Sequence, residues 1–200
     1  MTTEQLERPA QDISLLQILR EWTRPTHESL DGRIMAADPF ANRENYGRFA
    51  LVQYQFHTAV SPCFQRADLG RMLPDLAARD RLSLVAQDLA DLGIAIPETV
   101  ASPAITDLPT ALGWLYTAEG SNLGAAILLK EAKKLGLGET FGARHLAGHP
   151  DGRGLHWREF TAAMNAAPLS AGENDRVAEG AVAAFAHVRS LVELYLFSDR

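Results

Sequence analysis

Gly120 and Gly124 stand four residues apart inside a run, Ala111 to Leu135, that is apolar on most of its faces. At that spacing both lie on one face of a helix, and each costs a helix interior about 1 kcal/mol relative to alanine. Two uses would offset that cost. A glycine pair lets a second helix approach closely, and it also lets a flat ligand lie on bare backbone. Trp114, Tyr116, Glu119, Ser121 and Asn122 surround the pair, so the stretch offers apolar walls and a few polar anchors, as ligand pockets do. Periodicity alone leaves the two readings open.

His27 is the second candidate. Leu19, Leu30 and Ile34 fall at helical spacing from it, which predicts an inward-facing imidazole. A lone inward histidine is usually structural, yet neutral imidazole is also a common metal ligand. His57, His145, His149, His156 and His187 form no His-x-x-x-His pair within a helix. His145 and His149 have that spacing, but Gly148 and Pro150 put His149 in a loop, which weakens a zinc reading. No Glu-x-x-His pair supports a di-iron bundle, and no Gly-x-Gly-x-x-Gly run supports a flavin or nicotinamide site.

Helices must hold these residues. Leu15, Leu16, Ile18, Leu19 and Trp22 predict the first. Pro25, best tolerated in a first turn, predicts a second helix or a kink near Arg24 that carries His27, Leu30, Ile34 and Met35 and stops at Asp38-Pro39-Phe40. Asn42 reads as the N-cap of a helix through Tyr46, Phe49, Val52, Gln53, Phe56, His57 and Val60, which Pro62 ends or bends. Leu76 to Leu92 predicts one amphipathic helix closed by Gly93, followed by a Pro-containing connection over 94–107. Pro109 starts the central helix. The segment 136–154, rich in Gly, His and Pro, predicts loops with one short helix at Phe141 to Leu146, and Leu155–Asn165 and Glu173–Phe197 predict two final helices. No period-two run or flanked Asn-Gly or Asp-Gly turn signals a strand, so the class is all-α.

A chain of 200 residues, 46% hydrophobic and 22% charged, suits one well-buried core; the expected division is a flexible tail over 1–12 and a helical domain over 13–200. Lys and Arg number 19 against 25 for Asp and Glu, a net charge of −6, which argues against nucleic acid or an anionic membrane as partner. Cys63, the only cysteine, cannot form an internal disulfide or supply a Cys-rich metal site, and it fits a reducing cytoplasm. The polar, acidic start has no apolar signal region, and no long uninterrupted apolar window follows, so neither secretion nor membrane spanning is expected.

The string Ala-Leu-Gly-Trp-Leu-Tyr-Thr-Ala-Glu-Gly-Ser-Asn-Leu-Gly-Ala-Ala at 111–126 resembles the distal helix of bacterial heme oxygenases. The resemblance continues through Phe-Gly-Ala-Arg-His-Leu at 141–146 and His-Pro-Asp-Gly-Arg-Gly at 149–154 to Trp157. It also takes in Thr-His-Glu-Ser-Leu-Asp at 26–31, Asp-Pro-Phe at 38–40 and Asp-Leu-Ala-Asp-Leu-Gly at 88–93. The first dozen residues and the connection at 94–107 carry little of it.

The resemblance implies a multihelical bundle with heme, both cofactor and substrate, sandwiched between a proximal helix and a kinked distal helix. It makes His27 the iron ligand and Gly120, Ser121, Asn122 and Gly124 the catalytic distal segment, where a side chain on either glycine would fill the space that iron-bound oxygen needs to bend toward a meso carbon. Gln53, His57, Arg81, Asn122 and Trp157 resemble the polar groups that hold distal water. Arg20 and Tyr116 resemble the propionate anchors, with Arg20 a departure because many relatives have lysine there. Lys130 and Glu131 follow the distal helix without the second lysine of relatives that cleave elsewhere, which favours the α-meso position. The implied reaction uses dioxygen and electrons from a separate reductase or ferredoxin and yields biliverdin IXα, CO and ferrous iron. A biliverdin-using photoreceptor is a conceivable recipient, and a non-catalytic heme carrier or sensor with the same helices is the alternative reading.

Overall fold

Ser14 opens the first helix through a reciprocal cap: its hydroxyl accepts from the Gln17 backbone N–H at 3.3 Å, and the Gln17 side chain accepts from the Ser14 N–H at 2.9 Å. The computed structural model describes residues 14–198, so the tail expected over 1–12 lies outside the described residues. The chain forms α1 (Leu15–Ala36), α2 (Arg43–Phe64), the single turn α3 (Ala67–Gly70), α4 (Leu82–Asp91), α5 (Leu108–Lys134), α6 (Arg153–Asn165) and α7 (Ala171–Val192). A π-helical turn, Glu193–Phe197, extends α7. Apart from isolated bridges in the Gly138–Gly142 turn, there is no strand among the described residues.

Two expected boundaries are corrected. Pro25 lies inside α1 and starts no new helix, so Arg20 and His27 share one rigid element. The helix expected over Leu76–Leu92 is instead a 3-10 turn, Leu76–Arg79, followed by α4. The break has a tertiary cause, since Arg79 and Arg81 both turn inward to buried acceptors. Asp80 faces the other way, taking the Ser61 hydroxyl at 2.6 Å and the Leu82 N–H at 3.0 Å. The irregular 94–107 connection is held by Gln55, which donates to the Glu98 carbonyl at 2.7 Å and accepts from Val100 N–H at 3.0 Å.

Helix α7 is the common support. By length and composition Ala171–Phe197 could cross a membrane, but here Val177, Ala178, Ala181, Ala184, Leu191 and Val192 are buried in the core. Against α5 the approach is backbone to backbone. A Cβ on Gly113 would lie 2.2 Å from the Val177 carbonyl oxygen and 2.4 Å from the Ala181 nitrogen, and one on Gly180 would lie 2.6 Å from the Thr110 carbonyl oxygen. Even a methyl group has no room. On its other side α7 runs alongside α1, where Arg33 pairs with Glu193 at 2.6 Å and Arg189 donates to Ser29 at 3.2 Å. Contacts advance in step along both pairs, from Asp107–Arg176 to Thr117–Ala181 and from Ser29–Arg189 to Arg33–Glu193, so α1 and α5 run in the same direction as α7. Each packs on α7 far more than on the other.

Gly113→Ala or Gly180→Ala is expected to lower stability by at least the ~1–3 kcal/mol of an overpacked core, read as a fall in urea midpoint. Gly172→Ala, where an added Cβ meets nothing within 4 Å, is the control and should be neutral or slightly stabilising.

Candidate active site

On α1, His27 Nδ1 lies 3.1 Å from Asp31 Oδ2, one turn on. An Nδ1–H donated to that carboxylate fixes the tautomer and leaves the Nε2 lone pair free for a metal. The inward face expected for His27 is corrected: 55% of its side chain is exposed, and the ring packs edge-on against Phe185 of α7 at 5.6 Å. Four residues before His27, Thr23 is buried and donates to the Leu19 carbonyl at 2.7 Å. The Tyr116 phenol of α5 is raised by burial, a rise opposed by its hydrogen bond with Thr23 and by the nearby Arg20 guanidinium. Tyr116 therefore meets Thr23 where α1 and α5 touch, with the Arg20 charge near it. His27 follows one turn beyond Thr23, and Gly120 and Gly124 follow one and two turns beyond Tyr116.

Both glycines lie inside the unbroken α5, so a kink there is a bend within one helix. Their surroundings separate the two readings of the pair. Close helix approach in α5 belongs to Gly113; a Cβ on Gly120 would meet only the Trp157 ring, at 3.7 Å, and one on Gly124 would meet nothing within 4 Å. No helix packs on this bare backbone: Gly124 faces open space and Gly120 faces the Trp157 ring. Ser121 is exposed and donates back to the Ala118 carbonyl at 2.7 Å, and Lys134 and Glu131 pair at the far end of the helix.

Arg81, Asn122 and Trp157 meet around a recess whose other walls include Glu119, Arg153 and His156, with about 10 Å³ of free space, roughly one water molecule. Trp157 also packs on Tyr116 at 5.5 Å. Arg81 donates to the His145 and Ala147 carbonyls at 2.7 and 2.9 Å, and Arg153 donates to the Asn122 carbonyl at 2.8 Å and to that of Leu146. The 144–153 loop is thereby tied to the distal helix. His57 is fully buried with Nδ1 unpartnered, and burial, then the charges of His145 and Arg81, push its imidazole down to about 3. Gln53, one turn earlier, is half-buried, and its side chain makes no hydrogen bond among the described residues.

Sequence reasoning missed the charges behind this surface. Arg79 and Glu119 form a buried ion pair at 2.7 Å, with side chains 0% and 3% exposed. Asp88 accepts from His145 Nδ1 at 2.7 Å and from the backbone of Arg144 and His145; burial pushes its carboxyl up, but these bonds bring it below the ordinary range. Asp88 lay within the quoted 88–93 string, but a charge in an amphipathic pattern reads as solvated until a partner is seen.

A seven-helix frame with a glycine pair on one long helix and a half-exposed imidazole on another defines an all-α, single-domain bundle. Residues 13–194 match the heme oxygenase family model. The chain belongs to the heme oxygenase family. It is 41% identical over 179 residues to the heme oxygenase PigA of Pseudomonas aeruginosa, covering 88% of this chain and 90% of that protein. It resembles the NO- and CO-bound heme oxygenase from Neisseria meningitidis at 39% identity and a TM-score of 0.88 over 92% of each chain. Heme oxygenase 2 from Chlamydomonas reinhardtii, solved without heme, shares the fold at 16% identity with a TM-score of 0.76 over 94% of this chain and all of that one.

His57, pushed down to about 3, and His156, pushed down to about 4 mainly by burial, both bind protons less readily folded than unfolded. Their stabilising effect is complete above the unfolded histidine value near 6.5 and is lost as pH falls from there toward the folded values. Denaturation midpoints at pH 7 and 4.5 should therefore differ less in His57→Gln than in the parent chain.

Proposed function

We propose that this heme oxygenase binds heme as its substrate between α1 and α5 and opens the ring with dioxygen and external electrons, releasing biliverdin, CO and ferrous iron. In this reading Nε2 of His27 takes the iron, with Asp31 holding the imidazole by Nδ1. Gly120 and Gly124 supply the distal wall. Arg20, whose charge acts on Tyr116, and Tyr116 itself anchor the propionates by charge and hydroxyl. Arg81, Asn122, Trp157 and His57, with Gln53 beside it, hold distal water, which delivers protons to the oxygen side. The buried, unpartnered Nδ1 of His57 and Nη2 of Arg79 are the donors or acceptors such water would satisfy. The absence of a second lysine beside Lys130 favours the IXα isomer, and a separate reductase or ferredoxin is the electron source, since no nucleotide fingerprint is present.

The observation that carries this reading is the glycine face: a Cβ on Gly124 would meet open space and one on Gly120 only ordinary contact with the Trp157 ring, while Gly113 does the helix packing. Adding heme to purified protein should produce a Soret band that bleaches when dioxygen and a reductant follow. No Soret band would sink the proposal, and a stable band would leave only a carrier.

His27→Ala should lose the histidine-type spectrum and ring opening together; an unchanged spectrum would remove His27 from the site. Gly120→Leu should cut ring opening far more than heme uptake, because it obstructs the oxygen side and leaves the iron–imidazole bond alone. Normal turnover in that variant would refute the assigned role of the glycine.

A further inference from the structure

Among the distal groups, Asn122 is oriented through a chain of contacts that leads out of its own helix. Its Nδ2 donates to Glu119 Oε1 at 3.2 Å, three residues back, while the other Glu119 oxygen, Oε2, takes Arg79 Nη1 at 2.7 Å. Arg79 is itself fixed: Nε donates to the Pro74 carbonyl at 3.2 Å, Nη1 also reaches the His156 carbonyl at 3.4 Å, and the guanidinium lies 5.4 Å from the centre of the Phe160 ring. An ionised carboxylate only accepts hydrogen bonds, and both Glu119 oxygens are engaged by donors. The Asn122 amide can therefore offer Glu119 nothing but its NH2 group. Its Oδ1 has no protein partner among the described residues, and Asn122 lines the water-sized recess with Arg81 and Trp157.

We infer that the buried Arg79–Glu119 pair is a positioning device that sets the Asn122 side-chain amide, so that Oδ1, an acceptor, faces the distal water of the heme site. The inference rests on the heme reading for what that water does, and on this chain alone for the orientation. An ion pair with both side chains almost wholly buried adds little net stability, because desolvation offsets much of the attraction. Fixing a neighbouring dipole is a use that an apolar pair of the same volume could not serve. Direction matters chemically: a water that donates to Oδ1 holds its proton more tightly, whereas one facing NH2 gives it up more readily.

Two variants test the device. Arg79→Met/Glu119→Leu removes both charges and keeps apolar volume beside Phe160, so the fold should survive. Glu119→Gln keeps the shape but can give its oxygen to Arg79 and its NH2 to Asn122, which inverts the Asn122 amide. The first readout needs no heme. Exchange of the Asn122 side-chain amide protons, followed by NMR in the heme-free protein, should speed up by about tenfold in the double variant. Unchanged exchange would overturn the inference.

The second readout is the acid–alkaline midpoint of the ferric heme complex. It should fall in Glu119→Gln by about half a pH unit, the direction expected when a donor replaces an acceptor. Adding the double substitution to Asn122→Ala should shift it no further, because the pair acts through Asn122. Additive shifts, or a rise in Glu119→Gln, would overturn the inference. A parent chain with altered exchange in the variants but no Soret band would confine the failure to the heme reading.

Discussion

The backbone contact between α5 and α7 is the constraint from which the slot follows. With no side chain at Gly113 or Gly180, the two helices approach until main-chain atoms meet, and Thr117 adds a hydroxyl bond across to the Ala181 carbonyl at 3.4 Å. That distance fixes how far the distal wall stands from its support. Because α1 is tied along the same α7 by Arg33–Glu193 and Ser29–Arg189, both walls refer to one helix. Tyr116 then meets Thr23, and the next turns of the two helices carry His27 on one side and Gly120 on the other.

Behind the distal helix, polarity is arranged by burial. Arg79, Arg81, Asp88 and Arg153 each bridge segments distant in sequence, and Arg81, Asp88 and Arg153 all bond backbone groups of the 144–153 loop. A loop that carries few apolar anchors is thus given a definite shape by guanidinium and carboxylate groups. Main-chain carbonyls left without helix or sheet partners find charged donors instead, which is the stronger kind of hydrogen bond. The cost is a set of charges that must stay paired. His57 accommodates this by remaining neutral next to Arg81 and His145.

The helical class and most boundaries were legible because they depend on local signals. Asn42 does cap α2, accepting from Asn45 at 2.9 Å, and Asp107 caps α5 directly ahead of Pro109. What failed had non-local causes. Pro25 could not be placed inside α1 from its own preference, because the packing of Leu19, Thr23 and Leu30 on both sides keeps the helix continuous. The break at Asp80–Arg81 depended on Glu119, forty residues away from Arg79. Within the candidate site, Gly120, Gly124, Tyr116 and Trp157 were recognisable as a string, whereas the exposure of His27 was not. Helical spacing can say that Leu19, Leu30 and Ile34 share a face with it, but not that this face opens beside Phe185.

The loose packing of α1 on α5 has a thermodynamic consequence. A flat molecule lying between them touches both and closes a ring of contacts, helix to ligand to helix to α7, that the protein alone leaves incomplete. Substrate binding is then linked to folding: a ligand that binds only the folded chain adds RT ln(1 + [L]/Kd), about 4 kcal/mol at a thousandfold excess over Kd. Ring opening converts a rigid planar tie into a flexible linear one, so the product holds the two walls together less firmly than the substrate did. With heme bound between α1 and α5 as proposed, completing the reaction itself weakens the brace, and the same slackness that admits heme helps to let biliverdin go.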